Sequence, residues 1–252
     1  MGNSEKKTTE ILGIPLFRLG MEAALHACEE RAESGHGSYA CFVNVHSLTE
    51  ATQDSKTREA LLQATFSFPD GMPLVWASHL KANPIRERVC GPDFMTALMQ
   101  TKRGQTFGFI GGLPGQAEKI ALRFGILGLS YCPPFRSFSG ANALEDWNAF
   151  VRLCREKNGI IPRFVWVCLG APKQELWMQT VSPVATDVSF FGVGAAIDFL
   201  AGEKKRAPVW VQKIGLEWGF RLIQEPRRLW RRYLATNVFF LKKLLIDLIR
   251  LR

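Results

Sequence analysis

At 252 residues the chain is long enough for one sizeable buried core, with room for an appendage. Its 47% hydrophobic and 22% charged residues exclude a disordered chain. The net charge of +9 is unevenly placed: residues 1–200 hold 19 Lys/Arg against 19 Asp/Glu, and residues 201–252 hold 13 against 4. A basic segment of that kind suits an anionic partner, whether membrane, nucleic acid or phosphorylated substrate.

The start, "MGNSEKKTTE", is polar and lacks the apolar stretch of a signal peptide. Beyond it, short apolar runs alternate with amphipathic stretches. Strands are expected at Ala40–Val45, Phe66–Phe68, Thr106–Ile110, Leu129–Cys132, Phe164–Cys168 and Val188–Phe191. Helices are expected at Leu19–Ala32, Lys56–Ala64, Pro73–Lys81, Pro92–Met99, Gly115–Phe124, Asn142–Arg155 and Lys173–Thr180. This alternation predicts an α/β fold, a mostly parallel sheet with flanking helices. From about Ala207 the pattern is helical only, restarting at Pro226. The expected organisation is an α/β catalytic domain over residues 1–205 and a basic helical appendage over 206–252. No window reaches the ~18 uninterrupted apolar residues needed to cross a bilayer. The six cysteines (Cys28, Cys41, Cys90, Cys132, Cys154, Cys168) have no ligand-like spacing, and with the polar start they suggest a reducing cytosol.

Open α/β sheets bind ligands at the carboxyl ends of their strands, so those ends matter most. Asn44 and His46, two apart after the first expected strand, can share one side, although a structural role suits a lone pair equally. Asp70, in "SFPDGMP", is either a turn or cap residue or a general base at a strand end. Gly111 and Gly112, in "FIGGLPGQ", form a turn whose N–H groups can approach a phosphate. The string is not a G-x-G-x-x-G and lacks the acid expected about 20 residues later, which argues against a nicotinamide cofactor. Lys173, Gln174 and Glu175 crowd one helix start, where a lysine is unfavourable unless an anion binds. Gly192 and Gly194 follow the last expected strand, with Asp198 on the next helix start.

Taken in order, "PDG", "RVCGPD", "LGAPKQE", "GVGAAIDFLAG", "RAP", "LEW" and "EPRRLWRRY" resemble the WecG/TagA/CpsF glycosyltransferases from about Ile14 to Leu234. The resemblance implies inverting transfer of a sugar from a UDP-sugar to a polyprenyl-diphosphate-linked acceptor in cell-surface polysaccharide biosynthesis. The donated sugar would be N-acetylmannosamine, its uronic acid or glucose. The expected products are wall teichoic acid, enterobacterial common antigen or exopolysaccharide. It further implies a Rossmann-like core with a C-terminal helical appendage.

By the same resemblance Asp70 is the general base and Arg88 a charge stabiliser near the reacting centre. Gln174 falls at a sugar-contacting glutamine, and Glu175 beside it is expected at the substrate. Asn44 and His46 stand where better-studied members carry threonine and asparagine, close to the sugar. UDP is expected on Gly111, Gly112, Lys173, Gly192, Gly194 and Asp198, and the lipid diphosphate on Arg221, Arg228 and Arg231. No D-x-D occurs in the chain, so no metal or other cofactor is expected, and the leaving UDP must be met by cations and N–H groups.

Around the appendage arginines, Trp218, Trp230, Tyr233, Phe239, Phe240, Leu244, Leu245, Leu248 and Leu251 interleave with Lys242, Lys243 and Arg250. That mixture suits a helix lying on an anionic membrane surface, and peripheral attachment to the cytoplasmic face of the inner membrane is expected. A nucleic-acid-binding module could use the same tail, but it leaves the polar strand ends without a purpose. No nucleic-acid partner is therefore expected, and a homo-oligomer is left open.

Overall fold

The computed structural model describes residues 7–250, with the side chains at 213, 228, 232 and 248–250 excepted. It opens on an antiparallel hairpin, β1 (Thr8–Ile11) and β2 (Ile14–Phe17), that alternation over four residues was too short to announce. Then come α1 (Met21–Glu33), β3 (Ser38–Val43), α2 (Val45–Gln53), α3 (Ser55–Gln63), β4 (Phe66–Pro69), α4 (Met72–Ser78) and α5 (Gly91–Thr101). The middle of the chain forms β5 (Thr106–Gly111), α6 (Gln116–Phe124), β6 (Leu127–Tyr131), α7 (Gly140–Lys157), β7 (Phe164–Cys168) and α8 (Lys173–Val181). β8 (Ser189–Gly192) and α9 (Ala196–Leu200) complete the α/β part. Only helices follow: α10 (Val209–Lys213), α11 (Glu217–Gln224) and α12 (Pro226–Arg250).

Six strands form one parallel sheet in the order β4-β3-β8-β7-β5-β6. β3 leads outward to β4 at one edge and β5 to β6 at the other, with β7 and β8 filling the middle. Every strand runs the same way, so the residues after Val43, Pro69, Gly111, Tyr131, Cys168 and Gly192 all emerge on one rim. That rim holds the site.

Both sheet faces are buried, and the pleat divides their residues by alternation. One face is aromatic: Phe42, Phe68, Phe107, Phe164, Trp166 and Phe191 pack with Phe94 of α5, their rings 5.0–6.4 Å apart. Burying each phenylalanine contributes about 1.5–3 kcal/mol relative to exposure. The other face presents Tyr39, Cys41, Val43, Ile110, Val165, Val167 and Phe190 to Trp147 and Phe150 of α7 and Trp177 of α8. Gly108 is needed there, because a Cβ would stand 2.7 Å from the Phe150 ring and 2.9 Å from Val165.

α2 corrects the sequence reading, which carried the first strand to Val45. Asn44 ends it instead: its side chain accepts from the Ser47 N–H at 3.1 Å, and Ser47 Oγ accepts from the Asn44 N–H at 3.3 Å. That reciprocal cap starts a helix. α12 packs its buried residues Leu229, Thr236, Phe240 and Leu244 inward, largely on α2, and Lys81 bonds Asp247 at 2.6 Å. Among the described residues no helix is long and apolar enough to cross a membrane.

Candidate active site

Asp70 leaves the end of β4 on the rim. Its N–H donates to Val43 O at 2.7 Å, and the Val89 N–H donates to Pro69 O at 2.8 Å, so backbone on both sides fixes the carboxyl's origin. Gly71 follows at φ +134°, a conformation that lets the chain turn directly into α4. The Asp70 pKa is raised from its ordinary 3.8 to about 7, by loss of water first and by the Glu217 charge second. Arg88, Arg221 and Arg206 pull the other way. A carboxyl poised near neutrality at a strand end is suited to take up a proton.

Around Asp70 a charge network joins the core to the helical segment. Glu217, at the start of α11, accepts from Arg88 Nη1 at 3.1 Å and from Arg206 Nε at 3.1 Å. Arg88 also donates to Gln212 Oε1 at 3.0 Å, and Gln212 in turn donates to Ala207 O at 2.7 Å. Arg206 forks onto both carboxylate oxygens of Asp93, one at 3.0 Å, and reaches Cys90 Sγ at 3.2 Å. Against the effect of burial, the Arg206 hydrogen bonds hold the Asp93 pKa below its ordinary value. Three arginines thus face three carboxylates around one partly enclosed point.

On the far side of the rim a cleft of about 580 Å³ lies over the ends of β5, β6 and β7. Gly111, Gly112, Lys173, Phe135, Arg136 and Cys168 help to line it. Gly111 and Gly112 have φ +90° and +80°, and a Cβ on either would stand 2.8 Å from a neighbour: Leu169 for the first, Gln116 and Ile197 for the second. The turn therefore needs bare backbone at both positions. Lys173 Nζ donates to Arg136 O at 3.2 Å, holding an ammonium at the cleft wall. Asp198 sits behind the glycine turn, accepting from Gln116 Nε2 at 3.0 Å and paired with Lys204 at 2.9 Å.

Between these two regions lies Gln174, at the loops after β7 and β8. Its buried amide donates to Gly192 O at 2.9 Å and to Glu175 Oε1 at 3.0 Å, while Gly194 stands against its Oε1. Glu175, expected at the substrate, is only 2% exposed and turned into the core, where its charge adds to the burial that raises the Cys41 thiol. The physical reason is the helix register: one residue past Gln174 faces the sheet rather than the rim. Asn44 spends its Oδ1 on the cap of α2, and the half-buried His46 lies 3.8 Å from Glu50.

Among the appendage arginines, Arg221 acts on Asp70 electrostatically and stacks its guanidinium 5.5 Å from the Phe199 ring centre. Arg231 is exposed over the Trp230 ring at 5.2 Å, away from the network. The Arg228 side chain lies outside the described residues, as do those of Leu248 and Arg250 and the whole of Leu251. Sequence reasoning missed Arg206, Gln212, Glu217 and Asp93. Their strings, "RAP", "LEW" and "GPD", were noted, but the bonds span 113 to 129 residues and no local spacing reveals them. Among the described residues no group of three or more His, Cys, Asp or Glu is arranged to hold a metal ion.

An open parallel sheet with a buried acid, an arginine cluster and a glycine-walled cleft on one rim defines an α/β protein with its candidate site at the carboxyl ends of the strands. Fold alone does not fix the reaction. The chain belongs to the glycosyl transferase WecG/TagA/CpsF family, whose model matches residues 9–252, and is accordingly a glycosyltransferase. It is 29% identical over 210 residues to the N-acetylglucosaminyldiphosphoundecaprenol N-acetyl-beta-D-mannosaminyltransferase of Bacillus spizizenii, covering 81% of this chain and 77% of that one.

Proposed function

We propose that the protein transfers a sugar, with inversion and without a metal, from a UDP-sugar to a polyprenyl-diphosphate-linked saccharide. The observation that carries this reading is Asp70, raised to about 7 at a strand end and ringed by Arg88, Arg206 and Arg221. Asp70 accepts the proton of the acceptor hydroxyl as that oxygen forms its bond to the anomeric carbon. The bond from that carbon to the UDP oxygen breaks at the same time, leaving a diphosphate whose new charge the arginines stabilise. Gly111, Gly112 and Lys173 supply bare N–H groups and an ammonium for the nucleotide, with Gly192, Gly194 and Asp198 bordering it.

The Bacillus spizizenii relative is named for an N-acetylmannosaminyl donor group and an N-acetylglucosaminyl-diphosphoundecaprenol acceptor. That supports a lipid-linked acceptor here, and N-acetylmannosamine is the donor group we favour over its uronic acid and glucose. Arg221, with Arg228 and Arg231, is assigned to the acceptor's diphosphate, which guanidinium forks suit. A bilayer-anchored acceptor calls for an enzyme at the membrane surface, and the cytoplasmic face is the side we propose. The exposed residues Trp230, Leu234, Val238, Leu241 and Leu245 form one stripe along α12 for that contact, opposite the face packed on α2.

The test is to offer the purified chain a panel of UDP-sugars with polyprenyl-diphosphate N-acetylglucosamine in the presence of EDTA. Transfer of one sugar with release of UDP is expected. Activity that disappears in EDTA and returns with Mn²⁺ would overturn metal independence, and no transfer from any UDP-sugar would overturn the donor class.

A further inference from the structure

The loops after β7 and β8 hold two neighbouring buried polar side chains of unequal standing. Gln174 is 4% exposed and Glu175 2%. The Gln174 amide nitrogen lies between two acceptors, Gly192 O at 2.9 Å and Glu175 Oε1 at 3.0 Å. A carboxamide has one donor end and one acceptor end. Exchanging them would set the Gln174 oxygen against Gly192 O and Glu175 Oε1, both acceptors when the carboxylate is charged. The two bonds therefore fix which end of the amide points where, and Nε2 has both its hydrogens committed.

The other end is left open. Gln174 Oε1 has no hydrogen-bond partner among the described residues, although its surroundings are buried. It faces Gly194, where a Cβ would stand 3.3 Å from it, so the oxygen looks onto bare backbone. An unpaired buried carbonyl costs about 1–3 kcal/mol unless a partner arrives. It lies at the loops after β7 and β8, between the cleft over β5–β7 and Asp70 on β4, where the proposed function puts the sugar of a UDP-sugar.

We infer that Glu175 is a positioning residue that locks the Gln174 carboxamide, so that Gln174 presents only an acceptor and recognises a hydrogen donor, a hydroxyl or amide N–H, on the donor sugar. This rests on the reading of the site as a UDP-sugar transferase. Glu175 itself touches no substrate: its carboxylate is enclosed by the core. Its carboxyl pKa is raised to about 7 by burial, opposed by the Gln174 hydrogen bond, so the all-acceptor arrangement holds above about pH 7, where the carboxyl is ionised, and the variants are compared at pH 8. Deletion of the carboxylate frees the amide to rotate, and a rotated amide offers N–H to a sugar group that also offers hydrogen.

The experiment compares the full-length wild type with E175Q and E175L by three readouts. E175Q keeps an acceptor oxygen for Gln174 and is expected to hold donor KM within about twofold of wild type. E175L is expected to raise donor KM about tenfold, with kcat and the affinity for UDP alone little changed, because only the sugar contact is lost. By NMR, the Gln174 side-chain N–H₂ should exchange slowly in wild type and E175Q and faster in E175L, a signal independent of turnover. A wild-type KM in E175L, equal defects in E175Q and E175L, or parallel loss of UDP affinity would each overturn the positioning role. An intact NMR pattern with no sugar transfer from any UDP-sugar would instead sink the transferase reading and leave the lock standing.

Discussion

Asp70 shows how one side chain can serve function against stability. Its native carboxyl keeps its proton up to about pH 7, whereas an ordinary aspartate loses it near 3.8. Between those values the native state binds more protons than the unfolded one, so stability falls as pH rises. Asp70 costs the fold nothing below about pH 4, and the cost of its buried charge is complete above about pH 7. D70N should therefore be more stable than wild type at pH 8, by up to about 4 kcal/mol in urea unfolding, and no more stable at pH 4. Equal stability at both pH values would mean the carboxyl is better solvated than its neighbours suggest. Glu217 makes the converse case, since it is the common partner of Arg88 and Arg206. E217L leaves two guanidinium groups half-paired next to the base, and kcat/KM should fall on the order of 100-fold. A wild-type kcat/KM in that variant would remove the network from the mechanism.

Legibility at this scale followed sequence distance. Asp70, the Gly111–Gly112 turn and Gln174 stand at ends of strands whose apolar runs announce them, so their place on the rim was readable from the chain. Glu175, grouped with Gln174 at one helix start, points elsewhere in the structure, because a helix turns successive residues about 100° apart. Arg206 and Glu217 were unreadable because the partners that tie them to the core, Asp93 and Arg88, lie more than a hundred residues away.

Among elements, α12 has two faces with different fates. Leu229, Thr236, Phe240 and Leu244 are buried, while Trp230, Leu234, Val238, Leu241 and Leu245 remain outside at spacings of four, four, three and four. The helix was evident from the sequence; which of its apolar residues face inward was not, because both stripes are apolar and periodicity alone cannot rank them. Replacing Trp230, Leu234 and Leu241 together with glutamate should weaken sedimentation with anionic vesicles on the order of 100-fold. The thermal transition and turnover of a soluble short-chain acceptor should stay near wild type. Vesicle binding unaffected by the triple change would assign the stripe to some other partner. The turn between β5 and α6 is the other exacting element. G112A must place a methyl against Gln116 and Ile197 at positive φ, and both stability and UDP affinity should drop, by about 1–3 kcal/mol in unfolding free energy.

At the scale of the whole molecule, the reacting centre is shared between parts of the chain far apart in sequence. The sheet supplies Asp70, Gln174 and the glycine cleft along one rim. The segment from Arg206 through Arg221 supplies the cations and the carboxylate that tune them. The parallel α/β architecture was legible from strand–helix alternation, but the order β4-β3-β8-β7-β5-β6 was not, since nothing local says that the last two strands enter the middle. That order is what sets the glycine-walled cleft over β5–β7 apart from Asp70 on β4, and under the proposed function the sugar would lie between them. The same arrangement gives the charge distribution a place in the fold: the basic segment supplies Arg206 and Arg221 beside Asp70, and under the proposed function its exposed stripe is what meets an anionic surface.

The measurement that reaches the central claim most directly is the pH–rate profile of sugar transfer from UDP-sugar to lipid-linked acceptor, for wild type and D70N, over about pH 5 to 9 with EDTA present. Wild-type kcat/KM should rise with pH through about 7 as Asp70 loses its proton, then level off. D70N should lack that limb and run about 10²- to 10⁴-fold slower with UDP affinity retained. A D70N enzyme that transfers sugar at the wild-type rate, with the same pH limb, would contradict the account.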